Sequence, residues 1–393
     1  MDTVFRAGTS DQKKINIVLV DDSAVIRGAL GRILKTDPNV EIVGSVANGQ
    51  DGVTKARLVQ PDILILDVEM PVMDGITALP RILEASPKTK VIMCSTLTAK
   101  GADITMKALS LGAVDSIVKP SSSIETGPGS PFQRDLMALI RNLAPRSKMF
   151  QSPAPSVSSP NYHSTPATMP SSAQAPRQST VAAPPSRPIF KSEVTIRNDP
   201  RAYKGRPSIV AIGSSTGGPQ ALFKVLKHCS GFNVPIVITQ HMPATFTKIL
   251  AEHIKMQTGI TSFEGEHGMP VQNGCVYVAP GGKHMLFERI GGALKIRLDD
   301  GPQENFCKPA VDPMIRSLVD IYGDHVLGVI LTGMGHDGLQ GMKILVEKGG
   351  RLVAQDEATS VVWGMPGAVA TNGLCSAVLP LDDIGPWIKK AVL

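Results

Sequence analysis

One stretch constrains this chain more than any other. From about residue 145 to 200 it holds 11 of the 31 prolines, many serines and no acidic residue before Glu193, with no sustained apolar periodicity. Such sequence cannot bury enough apolar surface to offset the entropy of ordering it, so it reads as an extended tether, a spacer or a docking segment between folded parts. A 393-residue chain interrupted there cannot build one continuous core. The expectation is two domains, residues 13–143 and 207–393, joined by a flexible linker over 144–206.

Charge follows the same division. The formal total is +6, but nine Lys or Arg against Glu193 and Asp199 give the stretch 145–207 a local balance of +7. Subtracting that from the total leaves −1 for everything else, so the folded parts lack the basic footprint of a nucleic-acid-binding domain. With 42% apolar and 19% charged residues the composition is globular. No basic stretch leads into an apolar core at the N-terminus, and no window approaches the ~18 uncharged residues needed to span a bilayer, so a cytoplasmic protein without membrane insertion is expected. Cys94, Cys229, Cys275, Cys307 and Cys375 form no CxxC pair, which points to reduced, mostly structural thiols rather than disulfides or zinc.

Before the tether, apolar runs at Ile15–Val20, Glu41–Val46, Asp62–Leu66, Lys90–Cys94 and Ser116–Val118 alternate with helical patterns. One helix is capped by Ser23 and carries Ile26, Leu30 and Ile33 on one face. After it the alternation resumes, with strands at Ser208–Gly213, Pro235–Thr239, Val276–Ala279, Val326–Thr332 and Arg351–Ala354 and helices at Gln220–Cys229 and Leu339–Glu347. Both halves therefore read as α/β units, each with a doubly wound parallel-type sheet.

In open parallel sheets, functional groups gather at the carboxyl ends of the strands. In the first half those ends carry Asp21 and Asp22, Asp67, Ser95 and Lys119. Carboxylates brought together repel one another, and a hard divalent cation such as Mg²⁺ relieves that repulsion. A metal and a lysine beside a carboxylate suit phosphoryl transfer. The segment Leu66-Asp67-Val68-Glu69-Met70-Pro71-Val72-Met73-Asp74-Gly75, with Val118-Lys119-Pro120, resembles the receiver domain of bacterial response regulators over about residues 15–143. That resemblance implies a flavodoxin-like fold with Asp67 as phospho-acceptor. It also implies Mg²⁺ on Asp22, Asp67 and the Glu69 carbonyl, with Asp21 supporting its water shell, and Ser95 and Lys119 on the phosphoryl oxygens. Many receivers carry an aromatic switch residue three positions before the lysine; here that position is Ser116.

In the second half, Gly213-Ser214-Ser215-Thr216-Gly217-Gly218-Pro219 lies between a strand and a helix. Such a turn fits a structural bend, a phosphate cradle, or a nucleophilic serine whose neighbouring N–H groups form an oxyanion hole. It contains no lysine and no P-loop pattern, which weakens the phosphate reading. Gln240-His241-Met242-Pro243 and Leu331-Thr332-Gly333-Met334-Gly335-His336-Asp337-Gly338 close two further strands, so Ser215, His241 and Asp337 would meet at one sheet edge as nucleophile, base and orienting carboxylate. From pattern alone His267, His284 and His336 remain alternatives for the base.

Residues from about 207 to 390 resemble the catalytic domain of the chemotaxis protein-glutamate methylesterase family. The likeness rests on Gly213–Pro219, Gln240–Pro243, Val278-Ala279-Pro280-Gly281, Thr332–Gly338 and Trp363-Gly364-Met365-Pro366. It implies a Rossmann-like domain, the triad Ser215, His241 and Asp337, and oxyanion donors at the Thr216 and Met334 amides. It further implies hydrolysis of glutamate γ-methyl esters on methyl-accepting chemotaxis receptors and deamidation of receptor glutamines. The resemblance also implies that the ester chemistry needs no cofactor and that a chemotaxis histidine kinase is the phosphodonor; the sequence leaves the oligomeric state open, with a monomer favoured. The family pattern has Asn where His336 stands, and a more basic, histidine-containing stretch where Asn305-Phe306-Cys307-Lys308-Pro309 lies. Two other classes compete: a DNA-binding response regulator, which the strand-rich second half opposes, and a silent phosphate sink or receptor adaptor, which an intact triad opposes.

Overall fold

A computed structural model describes residues 14–96, 98–120, 127, 129–144, 194–198 and 205–393. Most of the tether expected over 144–206 lies outside the described residues.

The first unit runs β1 (Ile15–Val20), α1 (Ala24–Leu34), β2 (Val40–Val46), α2 (Gly49–Val59), β3 (Ile63–Asp67), α3 (Gly75–Ala85), β4 (Lys90–Ser95), α4 (Ala99–Ser110), β5 (Asp115–Val118) and α5 (Pro131–Leu143). All four strand pairings are parallel, in the order β2-β1-β3-β4-β5. This is the flavodoxin-like doubly wound order, whose chain reversal beside β1 opens a crevice at the strand ends. β3 is buried along its whole length, as a sheet covered by helices on both faces requires. The helix starts are built as the sequence indicates: Ser23 accepts from the Ile26 amide, and Asp74 caps α3 by accepting from Thr77 N at 2.7 Å. Gly75 is obligatory, because a Cβ there would collide with the Asp67 carbonyl oxygen.

The second unit continues with β6 (Ile209–Ser214), α6 (Gly218–Leu226), β7 (Ile236–Gln240), α7 (Ala244–Thr258), β8 (Ser262–Glu264), β9 (Val276–Val278), β10 (His284–Ile290), β11 (Ala293–Asp299), α8 (Val311–Tyr322), β12 (Val326–Ile330), α9 (Leu339–Glu347), β13 (Arg351–Gln355), α10 (Met365–Thr371), β14 (Ala377–Leu379) and α11 (Leu381–Val392). Seven strands form a parallel sheet in the order β14-β13-β12-β6-β7-β9-β8, and β10 and β11 pair as a separate antiparallel hairpin. Without the edge strand β8, this is the Rossmann order, and the chain direction switches between β6 and β12. β6, β7 and β12 are buried throughout. The hairpin and the short edge strands β8 and β14 are absent from the sequence reading.

Arg197 belongs structurally to the second unit. Its amide donates to Cys375 O, and its guanidinium donates to Val346 O and Gly350 O at the carboxyl end of α9, where a cation complements the helix dipole.

The two units pack through α4 and the chain leading into β5. Met106, Leu109 and Ala113 share one apolar cluster with Ala221, Leu222 and Val225 of α6. Gln220 Nε2 donates to the carbonyls of Leu109 and Ala113, the Gly217 amide donates to Val114 O at 3.1 Å, and His253 Nε2 lies 3.0 Å from Asp103 Oδ1.

Candidate active site and acidic cluster

The first-unit crevice gathers the acids. One carboxylate oxygen each from Asp21, Asp22 and Asp67 lies within 4.8 Å of the others, with Asp21 and Asp67 buried and Asp22 exposed. Lys119 Nζ lies 2.6 Å from Asp67 Oδ2 and 3.0 Å from Asp21 Oδ2. Those two buried oxygens have no aligned hydrogen-bond donor, so only the ammonium charge answers them. Burial, with repulsion from Asp21, raises the Asp67 carboxyl above its ordinary range despite the opposing pull of Lys119. A cleft of about 240 Å³ lined by Asp22, Asp67, Glu69, Ser95 and Lys119 opens over them. An all-oxygen donor set whose three carboxylates face only the Lys119 ammonium fits Mg²⁺. The Glu69 side chain itself turns away to Lys100 at 3.6 Å. Ser95 is buried and accepts from Thr105 Oγ1 of α4 at 3.0 Å.

In the second unit, Ser215, His241 and Asp337 follow β6, β7 and β12, the three neighbouring strands at and beside the switch point. Backbone bonds lock these ends together: Ser215 N donates to Thr332 O at 3.0 Å, and His241 N to Ser214 O at 3.1 Å. The adjacent serines differ sharply. Ser214 is fully buried and its hydroxyl donates to Gln240 Oε1 at 2.7 Å, while Gln240 Nε2 donates to Ser215 O and His241 O. Ser215 is half-buried, and among the described residues nothing hydrogen-bonds its hydroxyl. The turn closes tightly enough that a Cβ on Gly218 would strike the Gln240 side chain.

Asp337 is buried and densely served. Oδ2 accepts from Val311 N at 2.6 Å and contacts His241 Nε2 at 2.8 Å; Oδ1 accepts from Asn305 Nδ2 and Gly338 N at 2.9 Å and from Asp312 N at 3.3 Å. Two of these donors open α8, so a helix N-terminus faces the carboxylate. Burial acts to raise its pKa, but the His241 bond and charge and the amide donors outweigh it, and the net direction is down. His241 shows the converse: burial acts to lower it, but Asp337 and then Cys307 prevail and push it up to about 9. With Nε2 on Asp337, Nδ1 is the nitrogen left to exchange a proton with a substrate-facing group. It lies 3.4 Å from Cys307 Sγ, a contact that sequence reasoning missed because Cys307 is 66 residues away.

Among the described residues, the amides of Thr216 and Met334 have no hydrogen-bond acceptor, although each adjoins the Ser215 turn. Gly333 brings the second strand end close: a Cβ there would stand 2.9 Å from Ser215 Cβ. Two free N–H groups flanking an unengaged serine, beside a His–Asp pair, can support acyl transfer. The other histidines have different employment. His284 is buried between Pro302 O and Ala310 N, His267 Nδ1 accepts from Leu298 N, and His336 is exposed.

The family model for the CheB methylesterase matches residues 210–388, and that for the response regulator receiver domain matches residues 17–126. The chain is similar to a protein-glutamate methylesterase/protein-glutamine glutaminase of group 2 operon from Rhodospirillum centenum, 50% identical over 386 residues that cover 98% of this chain and 95% of the relative. A protein-glutamate methylesterase/protein-glutamine glutaminase 1 from Paramagnetospirillum magneticum is 49% identical, covering 96% of each chain. Likeness at that level along nearly the whole length, with both domain models matched in order, means that this chain belongs to the CheB methylesterase family, a hydrolase with a response regulator receiver domain ahead of its catalytic domain.

Proposed function

We propose that this chain hydrolyses glutamate γ-methyl esters on methyl-accepting chemotaxis receptors in the cytoplasm, deamidates receptor glutamines at the same site, and is switched on by phosphorylation of Asp67. The observation that carries the chemistry is the 2.8 Å His241–Asp337 pair at the strand ends beside the Ser215 turn, with the Thr216 and Met334 amides free.

Ser215 Oγ attacks the side-chain carbonyl carbon and its proton passes to His241 Nδ1, while Asp337 holds Nε2–H and stabilises the imidazolium. The tetrahedral oxyanion lies on the Thr216 and Met334 N–H groups, each such donor contributing about 2.7–4 kcal/mol. His241 returns the proton to the leaving methoxide, or to the amide nitrogen of a glutamine, releasing methanol or ammonia. Water deprotonated by His241 then cleaves the acyl-enzyme, leaving a glutamate carboxylate and free Ser215. Nothing in this sequence calls for a cofactor.

Control follows from the contact between the domains. Val114 O occupies the Gly217 amide in the nucleophile turn, and Val114 packs in one cluster with Met334 and Val361, so the docked receiver covers the approach to Ser215. Asp21, Asp22, Asp67 and the Glu69 carbonyl would hold Mg²⁺, which when bound neutralises charge on the incoming phosphoryl group. Lys119 and Ser95 take the phosphoryl oxygens. Ser95 drawn to that group releases Thr105 of α4, the helix that carries Asp103, Met106 and Leu109 against the catalytic domain. This hydroxyl pair supplies a route from Asp67 to the interface in a chain with Ser116 at the aromatic position. The phosphodonor is a chemotaxis histidine kinase.

The test is methanol release from methylated receptors with and without a small-molecule phosphodonor. Wild type should be accelerated, Asp67→Ala should stay at its basal rate, and Ser215→Ala should release none. Acceleration of Asp67→Ala, or turnover by Ser215→Ala, would overturn the corresponding half of the proposal.

A further inference from the structure

We propose that the turn Glu304–Cys307 is a clasp on the catalytic pair, in which Cys307 is a positioning residue that occupies the Nδ1 side of His241 in the resting enzyme and must withdraw before Ser215 can pass its proton. The inference rests on the hydrolase reading of Ser215, His241 and Asp337.

The turn is a two-residue hairpin: Glu304 N donates to Cys307 O at 3.1 Å and Cys307 N to Glu304 O at 2.8 Å. Asn305 and Phe306 between them have φ of 52° and 64°. Left-handed backbone at two successive non-glycine residues, one of them aromatic, persists only where surrounding contacts enforce it. Here they do. Arg316 grips Glu304 with two bonds, at 3.0 and 2.5 Å, and Asn305 Nδ2 donates both to Asp312 Oδ2 and to Asp337 Oδ1 at 2.9 Å. The same turn thus touches the carboxylate through Asn305 and the imidazole through Cys307.

Of the five cysteines, Cys307 alone is not buried. Its Sγ lies 3.4 Å from His241 Nδ1 and 3.5 Å from Asn305 O. When the thiol donates to Asn305 O, its sulfur accepts from the Nδ1–H of the protonated ring. That arrangement favours the imidazolium, which cannot act as a base. The ionisable groups facing the ring are Asp337 at Nε2 and Cys307 at Nδ1, with Asp312 behind, held through Asn305. Cys307 is therefore a brake on the base, separate from the receiver that covers the site.

The test follows the His241 ring by ¹⁵N-histidine NMR in the full chain as pH is raised, in wild type, Cys307→Ser and Cys307→Ala. The titration midpoint should fall in Cys307→Ala, with Cys307→Ser between. The acid limb of kcat/KM for methanol release should move down with it, giving about a threefold gain at neutral pH for a half-unit shift. An unmoved midpoint, or a rate lowered at every pH with the limb in place, would refute the clasp. If Cys307→Ala does not fold, the midpoint of Cys307→Ser alone should still fall below that of wild type, and an unmoved midpoint there also refutes the clasp. Turnover by Ser215→Ala would instead defeat the hydrolase reading, and the NMR titration distinguishes the two failures.

Discussion

One side chain offers a direct probe of the interface between the domains. Gln220, on the first turn of α6 behind the Ser215 turn, donates its amide to two receiver carbonyls, Leu109 O and Ala113 O. In Gln220→Ala both lose that donor. Leu109 O keeps a bond from Gly112 N, so the principal loss falls on Ala113 O. An acceptor left unsatisfied costs about 1–3 kcal/mol, and the cost applies only to the docked state, because water serves the carbonyl once the receiver swings away. The ratio of open to closed enzyme should then rise between about fivefold and about 150-fold. Methanol release by unphosphorylated enzyme should rise by the same factor, up to the ceiling of phosphodonor-treated wild type. Lys224→Ala is the control: it lies on the same helix but pairs with Asp382 at 3.2 Å within the catalytic domain, and its basal rate should stay near wild type. If folded Gln220→Ala has the wild-type basal rate, inhibition by docking through this face is wrong.

Other perturbations test the site itself. Ser214→Ala should keep much of the turnover that Ser215→Ala loses, because the Ser214 hydroxyl is committed to Gln240, and a folding titration should show a loss of about 1 kcal/mol; the opposite activity pattern would exchange their roles. Gly333→Ala would set a methyl group against Ser215 and the Met365 sulfur, displacing the Met334 amide. It should lower kcat by about a hundredfold or more while leaving phosphorylation of Asp67 intact, and unchanged kcat would remove Met334 from the oxyanion hole. In the docked resting enzyme His241 sits near 9 and must be neutral to accept a proton, so kcat/KM should rise with pH through that range; a flat profile between pH 7 and 9 contradicts it. The sign for stability is opposite. A pKa raised from 6.5 in the folded chain stabilises fully below 6.5 and ceases to as pH rises through about 9, which pH-dependent melting of wild type against His241→Gln should show.

Both α/β units and the parallel character of their sheets were legible in the sequence, because buried parallel strands are continuous apolar runs and most runs here are closed by a polar or glycine-containing loop. Leu339–Glu347 is a helix over the very range its pattern gives, and β1 spans Ile15–Val20 as read. The β10–β11 hairpin was not legible: it lies outside the βα rhythm, β10 (His-Met-Leu-Phe-Glu-Arg-Ile) keeps no two-residue alternation, and His284 at its start reads as a loop residue. The three-residue strands β8 and β14 carry too few residues for any period to register.

What the sequence determined by itself was local chemistry: a serine in a glycine-rich turn after a buried strand, a histidine and an aspartate after two others, and acids at strand ends in front of a tether. What only the tertiary structure decided was exclusivity. Ser214 and Ser215 are equivalent in a string of letters, and they part company because β6 directs one hydroxyl inward to Gln240 and leaves the other half-buried and unbonded among the described residues. His284 and His241 each close or open a strand, yet one is held between two backbone groups and the other between Asp337 and Cys307. Gln220 carries no motif, and Cys307 stands out in the sequence only within a stretch that departs from the family pattern. Their roles come from contacts 107 and 66 residues distant in sequence, which chain folding brings together and which local periodicity, reaching only a few residues, cannot report.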